Sequence, residues 1–252
     1  MATRSALFAA PATRWADRAG VDPCNRDIVH LAEPLVGVAD AGSVGVGTFL
    51  TGLGDRLANL ARCNTHRMLL DAVARGRPDY VILGAAAEDA DLAALRAAMH
   101  TATLGIVLIG PQGATPAPGP QFGIETFDPA DGPDAFTLRL RALMRRCRPV
   151  ALASRCRAGG LTLDEAAMTV SVAGSSATLS LEDFRLLGPL FDMPGRVWPR
   201  EELLRLAYGS QTQNGLRTID VKLNRTRRRM RAALGHDPIR SVRGEGYMLA
   251  PD

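Results

Sequence analysis

From Pro34 onward, apolar and polar positions fall into alternating blocks. Short apolar runs at Leu35–Ala39, Leu57–Arg62, Tyr80–Leu83, Leu104–Ile109 and Ile124–Phe127 read as buried strands. Helical patterns lie between them. Ser43–Arg56 is a weak one, because Gly45, Gly47, Gly52 and Gly54 each cost roughly 1 kcal/mol against alanine. His66–Arg75 carries Met68, Leu69, Ala72 and Val73 on one side, Leu92–Met99 follows, and Ala135–Arg146 turns Phe136, Leu140 and Leu143 inward. Strands alternating with helices predict an α/β domain whose parallel sheet is covered on both faces.

The pattern changes across Arg148–Gly160. Short β runs follow at Leu161–Asp164, Met168–Val172 and Ala177–Ser180, then helical patterns at Leu181–Phe191 and Arg200–Ala207. A polar loop, Gly209–Gly215, leads into a long helix, Thr218–Leu234. The segment Ile239–Leu249 reads as a hairpin turning at Gly244-Glu245-Gly246. The expected organisation is a flexible leader over 1–30, an α/β domain over 31–146 and an α+β domain over 149–252. No internal repeat is evident. Ala6–Ala10 is too short for a signal-peptide core, and no run of 18 apolar residues predicts a membrane span.

Composition narrows the class. With 46% apolar and 22% charged residues the chain has material for a core and is neither disordered nor fibrous in type. The cysteines Cys24, Cys63, Cys147 and Cys156 form no CxxC pair, which excludes a disulfide scaffold and a Cys-rich zinc module and suits a reducing cytosol. The net charge is +4 over 252 residues, and it is unevenly spread. From Arg217 to Gly246 the basic residues are Arg217, Lys222, Arg225, Arg227, Arg228, Arg229, Arg231, Arg240 and Arg243. Only Asp220, Asp237 and Glu245 oppose them, so this block carries all the positive excess. That is the footprint of a nucleic-acid-binding surface.

On a helix over Thr218–Leu234, Ile219, Leu223, Thr226, Met230 and Ala233 recur at steps of three and four as a packing stripe. Lys222, Arg225 and Arg229 form a second stripe, extended by Asn224, Arg228 and Arg231. Arginine grips guanine bidentately and asparagine grips adenine, so such a face fits a major groove. The hairpin brings Arg240 and Arg243 to a thin glycine-rich tip that suits a minor groove or a row of phosphates.

Five motifs in order carry a resemblance: Phe184-Arg185-Leu186-Leu187, Pro194-Gly195-Arg196-Val197, Arg200-Glu201-Glu202-Leu203-Leu204, Arg217-Thr218-Ile219-Asp220-Val221 and Ile239-Arg240-Ser241-Val242-Arg243-Gly244-Glu245-Gly246-Tyr247. Residues 149–252 resemble the winged-helix effector domain of the OmpR/PhoB response-regulator family. The resemblance implies a bacterial transcription regulator, not an enzyme, that binds double-stranded promoter DNA as a homodimer without a cofactor. It implies that Thr218–Leu234 is the recognition helix, with Lys222, Asn224 and Arg225 toward bases and nearby phosphates. Arg217 and Arg227 would hold the DNA backbone, and Arg243 would enter the minor groove. Thr218, Arg228, Arg229, Arg240, Ser241, Gly244 and Tyr247 complete the implied DNA-binding set, and the loop 209–215 matches the segment offered to RNA polymerase. Three positions depart from the pattern. Pro189 should kink the first helix. Pro199 stands at the usual Ser/Thr cap. Thr226 replaces a leucine.

The resemblance also implies a flavodoxin-like receiver domain in front, and Gly76-Arg77-Pro78-Asp79-Tyr80-Val81-Ile82-Leu83 resembles the run into its third strand. A receiver needs an aspartate at the end of that strand, two acidic residues after the first, a Ser/Thr after the fourth and a Lys-Pro after the fifth. Here Gly84 occupies the phosphoacceptor position, Asp40 alone follows the first strand, Ile109-Gly110 replaces the hydroxyl, and Asp128-Pro129 replaces Lys-Pro. Hard Mg²⁺ wants more oxygen ligands than Asp40 supplies. The prolines of Gly110–Gln121 forbid a helix there. The expectation is a pseudo-receiver that dimerises or senses, in a regulator that acts independently of aspartyl phosphorylation.

Alternatives stay open at this point. Asp89 or Asp91 would be a non-standard acceptor. A glycine loop at Gly37, Gly42, Gly45 and Gly47 fits neither GxGxxG nor a P-loop, which weakens an enzyme reading. Cys63 and His66 have metal-ligand spacing without a second pair. Cys147 and Cys156, set among Arg145, Arg146, Arg148, Arg155 and Arg157, suit a redox sensor. An apolar cleft near Gly84 and Ile109 suits a ligand sensor.

Overall fold

The computed structural model describes residues 28–30, 36–40, 45–53, 57, 59–76, 78–84, 93, 95, 97, 104–110, 123–152, 154–209 and 215–250. The chain divides into two compact units. One comprises residues 1–17 and 34–151, the other residues 18–33 and 152–252.

The N-terminal unit is an α/β layer structure. Strands β2 (Val36–Asp40), β3 (Asn59–Cys63), β4 (Tyr80–Gly84), β5 (Gly105–Ile109) and β6 (Ile124–Phe127) form a parallel sheet in the order β3-β2-β4-β5-β6. This is the receiver-like, flavodoxin-type arrangement expected from the alternating pattern. Every residue of β4 and β5 is buried, which explains their unbroken apolar runs: a parallel strand covered on both faces has no polar side. Helix α1 (Val46–Leu53) and α2 (His66–Gly76) connect the early strands, and α3 (Gly132–Cys147) closes the unit.

One core gathers Val38, Val81, Leu83, Ile106, Leu108 and Ile124 with Leu69 and Val73 of α2. Met68, placed on that stripe by the sequence pattern, is instead 50% exposed. A second cluster stacks Phe49, Phe127 and Phe136 with centroids 5.0–5.6 Å apart. Tyr80 lies over Gly37, where any Cβ would come within 2.2 Å of its ring. Helix α3 is buried well beyond its predicted face: Arg141, Arg145 and Arg146 lie inside with Phe136, Leu140 and Leu143. Arg146 reaches Glu125 at 2.8 Å with both side chains buried. The expected helix over Leu92–Met99 lies largely outside the described residues, and the proline-rich segment 111–122, Asp89 and Asp91 lie wholly outside them.

The C-terminal unit begins with an antiparallel platform of β1 (Ile28–His30), β7 (Ser154–Ala158), β8 (Leu161–Asp164), β9 (Thr169–Val172) and β10 (Ser175–Thr178), in that order. Two of these strands correct the sequence reading. Ile28–His30, assigned to the leader, pairs with β7 in the register Ile28↔Cys156, and β7 itself was hidden by the arginines that interrupt its apolar positions. Its burial alternates strictly, with Arg155 and Arg157 exposed, so the charges mark an outer face. Three helices follow: α4 (Leu181–Asp192), α5 (Arg200–Tyr208) and α6 (Arg217–Leu234). A second sheet, in the order β11 (Trp198–Pro199), β13 (Gly246–Leu249) and β12 (Ile239–Val242), completes a winged helix-turn-helix. Helix α4 continues through Pro189, which is buried within its last turn. Helix α5 starts at Pro199 with no side-chain cap.

Candidate nucleic-acid interface

Helix α6 buries Ile219, Leu223, Thr226, Met230 and Leu234. Leu234 therefore ends the packed stripe, and Ala233, its predicted last member, is exposed. Gly235 terminates the helix in the left-handed region (φ +80°), its N–H donating to the Arg231 carbonyl at 3.0 Å. The opposite side presents Arg217, Val221, Asn224, Arg225, Arg228 and Arg231, all exposed.

The structure separates two kinds of cation that look alike in sequence. Lys222 pairs with Glu182 and Arg229 with Asp183, both acidic residues in the first turn of α4. Arg227 donates to Asp237 at 2.8 Å and to Ser241 Oγ at 3.1 Å, and Arg231 donates to Asp237 at 3.1 Å. These residues tie α6 to its own domain. Asn224, Arg225 and Arg228 stand outward between them.

Thr226 is buried, and its hydroxyl donates to Asp183. Asp183 also accepts from the Ser180 hydroxyl at 2.6 Å and from the Ser180 N–H at 3.2 Å, while Ser180 Oγ accepts from Asp183 N–H at 3.2 Å. A capping box is thus shared with α6, and a leucine at 226 would lose that link. Sequence reasoning missed Glu182 and Asp183, although Ser180-Leu181-Glu182-Asp183 ahead of an apolar run was a legible capping signal.

Tyr247 corrects another expectation. It is 3% exposed, and its hydroxyl donates to Asp220 at 2.6 Å, where Arg200 also donates at 2.8 Å. It locks the base of the wing to α6 and α5 and offers little surface to a ligand. Burial, and then the bond to Asp220, push its phenol above the ordinary range. The same bond is the first of several influences holding the Asp220 carboxyl below its ordinary value of 3.8, with Arg200 adding to it and burial opposing it.

The wing tip is exposed at Arg240, Ser241, Arg243, Gly244 and Glu245. Gly244 turns it at φ +78°. Gly246 is required for a different reason: a Cβ there would lie 1.9 Å from the Trp198 carbonyl oxygen of β11. Trp198 is itself fully buried under Arg196, whose guanidinium sits 3.9 Å from the ring centroid and binds Glu202.

In the N-terminal unit, Asp40, Gly84 and Ile109 end β2, β4 and β5, and Gly84 pairs with Ile109. Asp128 follows β6, and its carboxylate accepts the Ala130 N–H at 3.0 Å to start a 3₁₀ turn. The sequence-predicted positions therefore converge at one end of the sheet, with Gly84 where the resemblance wants an aspartate. Cys63, Cys147 and Cys156 are buried. Burial and Asp40 push the Cys63 thiol up.

Fold and site together define the C-terminal unit as a winged-helix effector domain of the OmpR/PhoB response-regulator type. Residues 174–249 match the family described as transcriptional regulatory protein, C terminal. The chain is 36% identical over 111 residues to the phosphate regulon transcriptional regulatory protein PhoB of Rhizobium meliloti (strain 1021), covering 44% of this chain and 49% of that one. It is 31% identical over 111 residues to the heme response regulator HssR of Staphylococcus aureus (strain JH9), with 44% and 49% covered. The chain thus spans about half the length of the curated relatives it matches. Among solved structures it is similar to the Klebsiella pneumoniae RstA DNA-binding domain in complex with the RstA box, at 29% identity and a TM-score of 0.34, covering 39% of this chain and 98% of that one.

Proposed function

We propose that this chain is a sequence-specific, double-stranded-DNA-binding transcription regulator that acts without aspartyl phosphorylation. The observation that carries the DNA reading is the outward ridge of Asn224, Arg225 and Arg228 on α6, flanked by Arg240 and Arg243 on the wing. Asn224 and Arg225 would read base edges in the major groove. Arg217 and Arg228 would contact phosphates, and Arg243 the minor groove. Arg227, Arg229, Lys222 and Tyr247 hold these readers in place. A homodimer on repeated half-sites, and RNA polymerase met through the loop 209–215, belong to the same proposal.

Two experiments test it. Arg225→Ala should cost about 1–3 kcal/mol and relax sequence choice at one position of the footprint. A uniform weakening across all sequences would refute base reading by Arg225. Phosphorylation independence rests on Gly84 and on Asp128, which sets a negative charge where a bound phosphoryl group needs a positive one. Incubation with acetyl phosphate and Mg²⁺ should leave no phosphoryl increment in the intact mass; a stable one overturns that part.

A further inference from the structure

Asp237 lies just beyond the end of α6, its side chain 8% exposed, and both of its carboxylate oxygens are in use. Oδ1 accepts the Ile239 N–H at 3.1 Å, at the start of wing strand β12. Oδ2 accepts from Arg227 at 2.8 Å and from Arg231 at 3.1 Å, two guanidiniums one turn apart on α6. Arg227 reaches on to Ser241 Oγ of β12 at 3.1 Å. One carboxylate therefore ties helix to wing and engages two cations. Nearer the start of α6, Glu182 engages Lys222 in the same way and also accepts the Tyr208 hydroxyl at 3.1 Å. Asn224, Arg225 and Arg228 stand exposed between these held cations.

A cation that meets a DNA phosphate releases a counterion whatever the base sequence, so it strengthens binding to every duplex. A cation already seated on a carboxylate exchanges one anion for another and gains far less. We propose that Asp237, with Glu182 as its counterpart, is a specificity-determining residue that takes the place of a DNA phosphate. It occupies Arg227 and Arg231 and so withholds them from indiscriminate backbone contact. The same bonds hold β12 against α6 and fix the spacing between the helix and the arginines of the wing. Both effects favour the correct site: off-site complexes lose freely placed cations, and the correct one keeps its two readers in register. This inference rests on the proposed function and adds to it the residues that suppress binding elsewhere.

Asp237→Asn isolates the effect. The substituted side chain keeps an oxygen for the Ile239 N–H but sets an amide donor against the two guanidiniums. The test titrates the full chain, across a range of salt, with two duplexes: its own preferred sequence, selected from a random pool, and a scrambled one of equal length. For Asp237→Asn, the slope of log affinity against log salt on the scrambled duplex should steepen by about one for each cation released. The ratio of preferred to scrambled affinity should fall. Adding Arg227→Gln and Arg231→Gln to that variant should return the scrambled-duplex slope to the original value. Glu182→Gln, at a side chain 40% exposed, should steepen the slope by about one through Lys222, and it decides the matter if Asp237→Asn does not fold. Parallel weakening on both duplexes with an unchanged slope would mean that these carboxylates only support the fold, and would overturn the proposal. So would a steeper slope that persists without Arg227 and Arg231. Failure of the proposed function looks different: the unsubstituted chain would bind no duplex, or select no preferred sequence from the pool.

Discussion

Asp183 gathers several polar bonds of the C-terminal unit. It caps α4, receives the Thr226 hydroxyl and pairs with Arg229. Asp183→Ala removes half of the capping box, leaves the Thr226 hydroxyl only the Lys222 carbonyl and deprives Arg229 of its carboxylate, so it should destabilise this unit by about 2–4 kcal/mol, read as a lower urea midpoint. Asp220 works at the opposite end of α6. Its carboxyl pKa is depressed in the folded state, so its stabilising contribution is present above the unfolded value near 4 and is lost as pH falls through the folded one. Tyr247→Phe should cost about 1–2 kcal/mol at neutral pH and shrink the loss of stability on acidification; an unchanged acid limb in the unfolding curve would refute the Tyr247–Asp220 coupling. The residues of this interface were only half legible in the sequence. Periodicity put Lys222 and Arg229 in the same stripe as Arg225, because spacing along one helix carries no information about the carboxylates of another. The acidic partners lie on α4, 40 and 46 residues earlier in the sequence.

Elements show the same division. The apolar strands β4 and β5 were plain, since full burial leaves nothing but apolar side chains to see. Helix α3 was identified but its depth was not, because arginine is normally a surface residue and the burial of Arg146 depends on Glu125 of β6. Breaking that pair should be costly: Arg146→Ala takes a charged partner away from the buried Glu125 carboxylate, with an expected loss of about 3–5 kcal/mol in thermal or denaturant unfolding of the N-terminal unit. In the wing, Gly246→Ala sets a methyl group against the Trp198 carbonyl. It should separate β11 from β13, lower stability by about 1–3 kcal/mol, and weaken DNA binding through a displaced Arg243. Retention of both properties would mean that the close approach of these strands does not constrain the wing. Strand β7 was missed because its charged positions alternate with small or sulfur-bearing ones rather than with large aliphatics.

At the level of the whole molecule, the expected order of a parallel α/β unit followed by a winged helix is present, but the leader is not simply a leader. Strand β1 precedes the parallel sheet of the first unit in sequence and lies within the second unit's sheet. It covers the outer edge of β7, which would otherwise present unpaired backbone groups to other chains. Deleting residues 1–30 should therefore produce concentration-dependent association in sedimentation, whereas a truncation that stays monomeric at all concentrations would show that this edge needs no cover.

That strand also imposes an order of events during biosynthesis. Ile28–His30 leaves the ribosome early, yet the strand it pairs with is translated only after the entire parallel sheet has been made. The first strand of that antiparallel sheet to be synthesised must wait unpaired until Ser154–Ala158 arrives. Ribosome stalling before Ser154 would leave nascent chains with a complete parallel sheet and an Ile28–His30 segment without its partner strand.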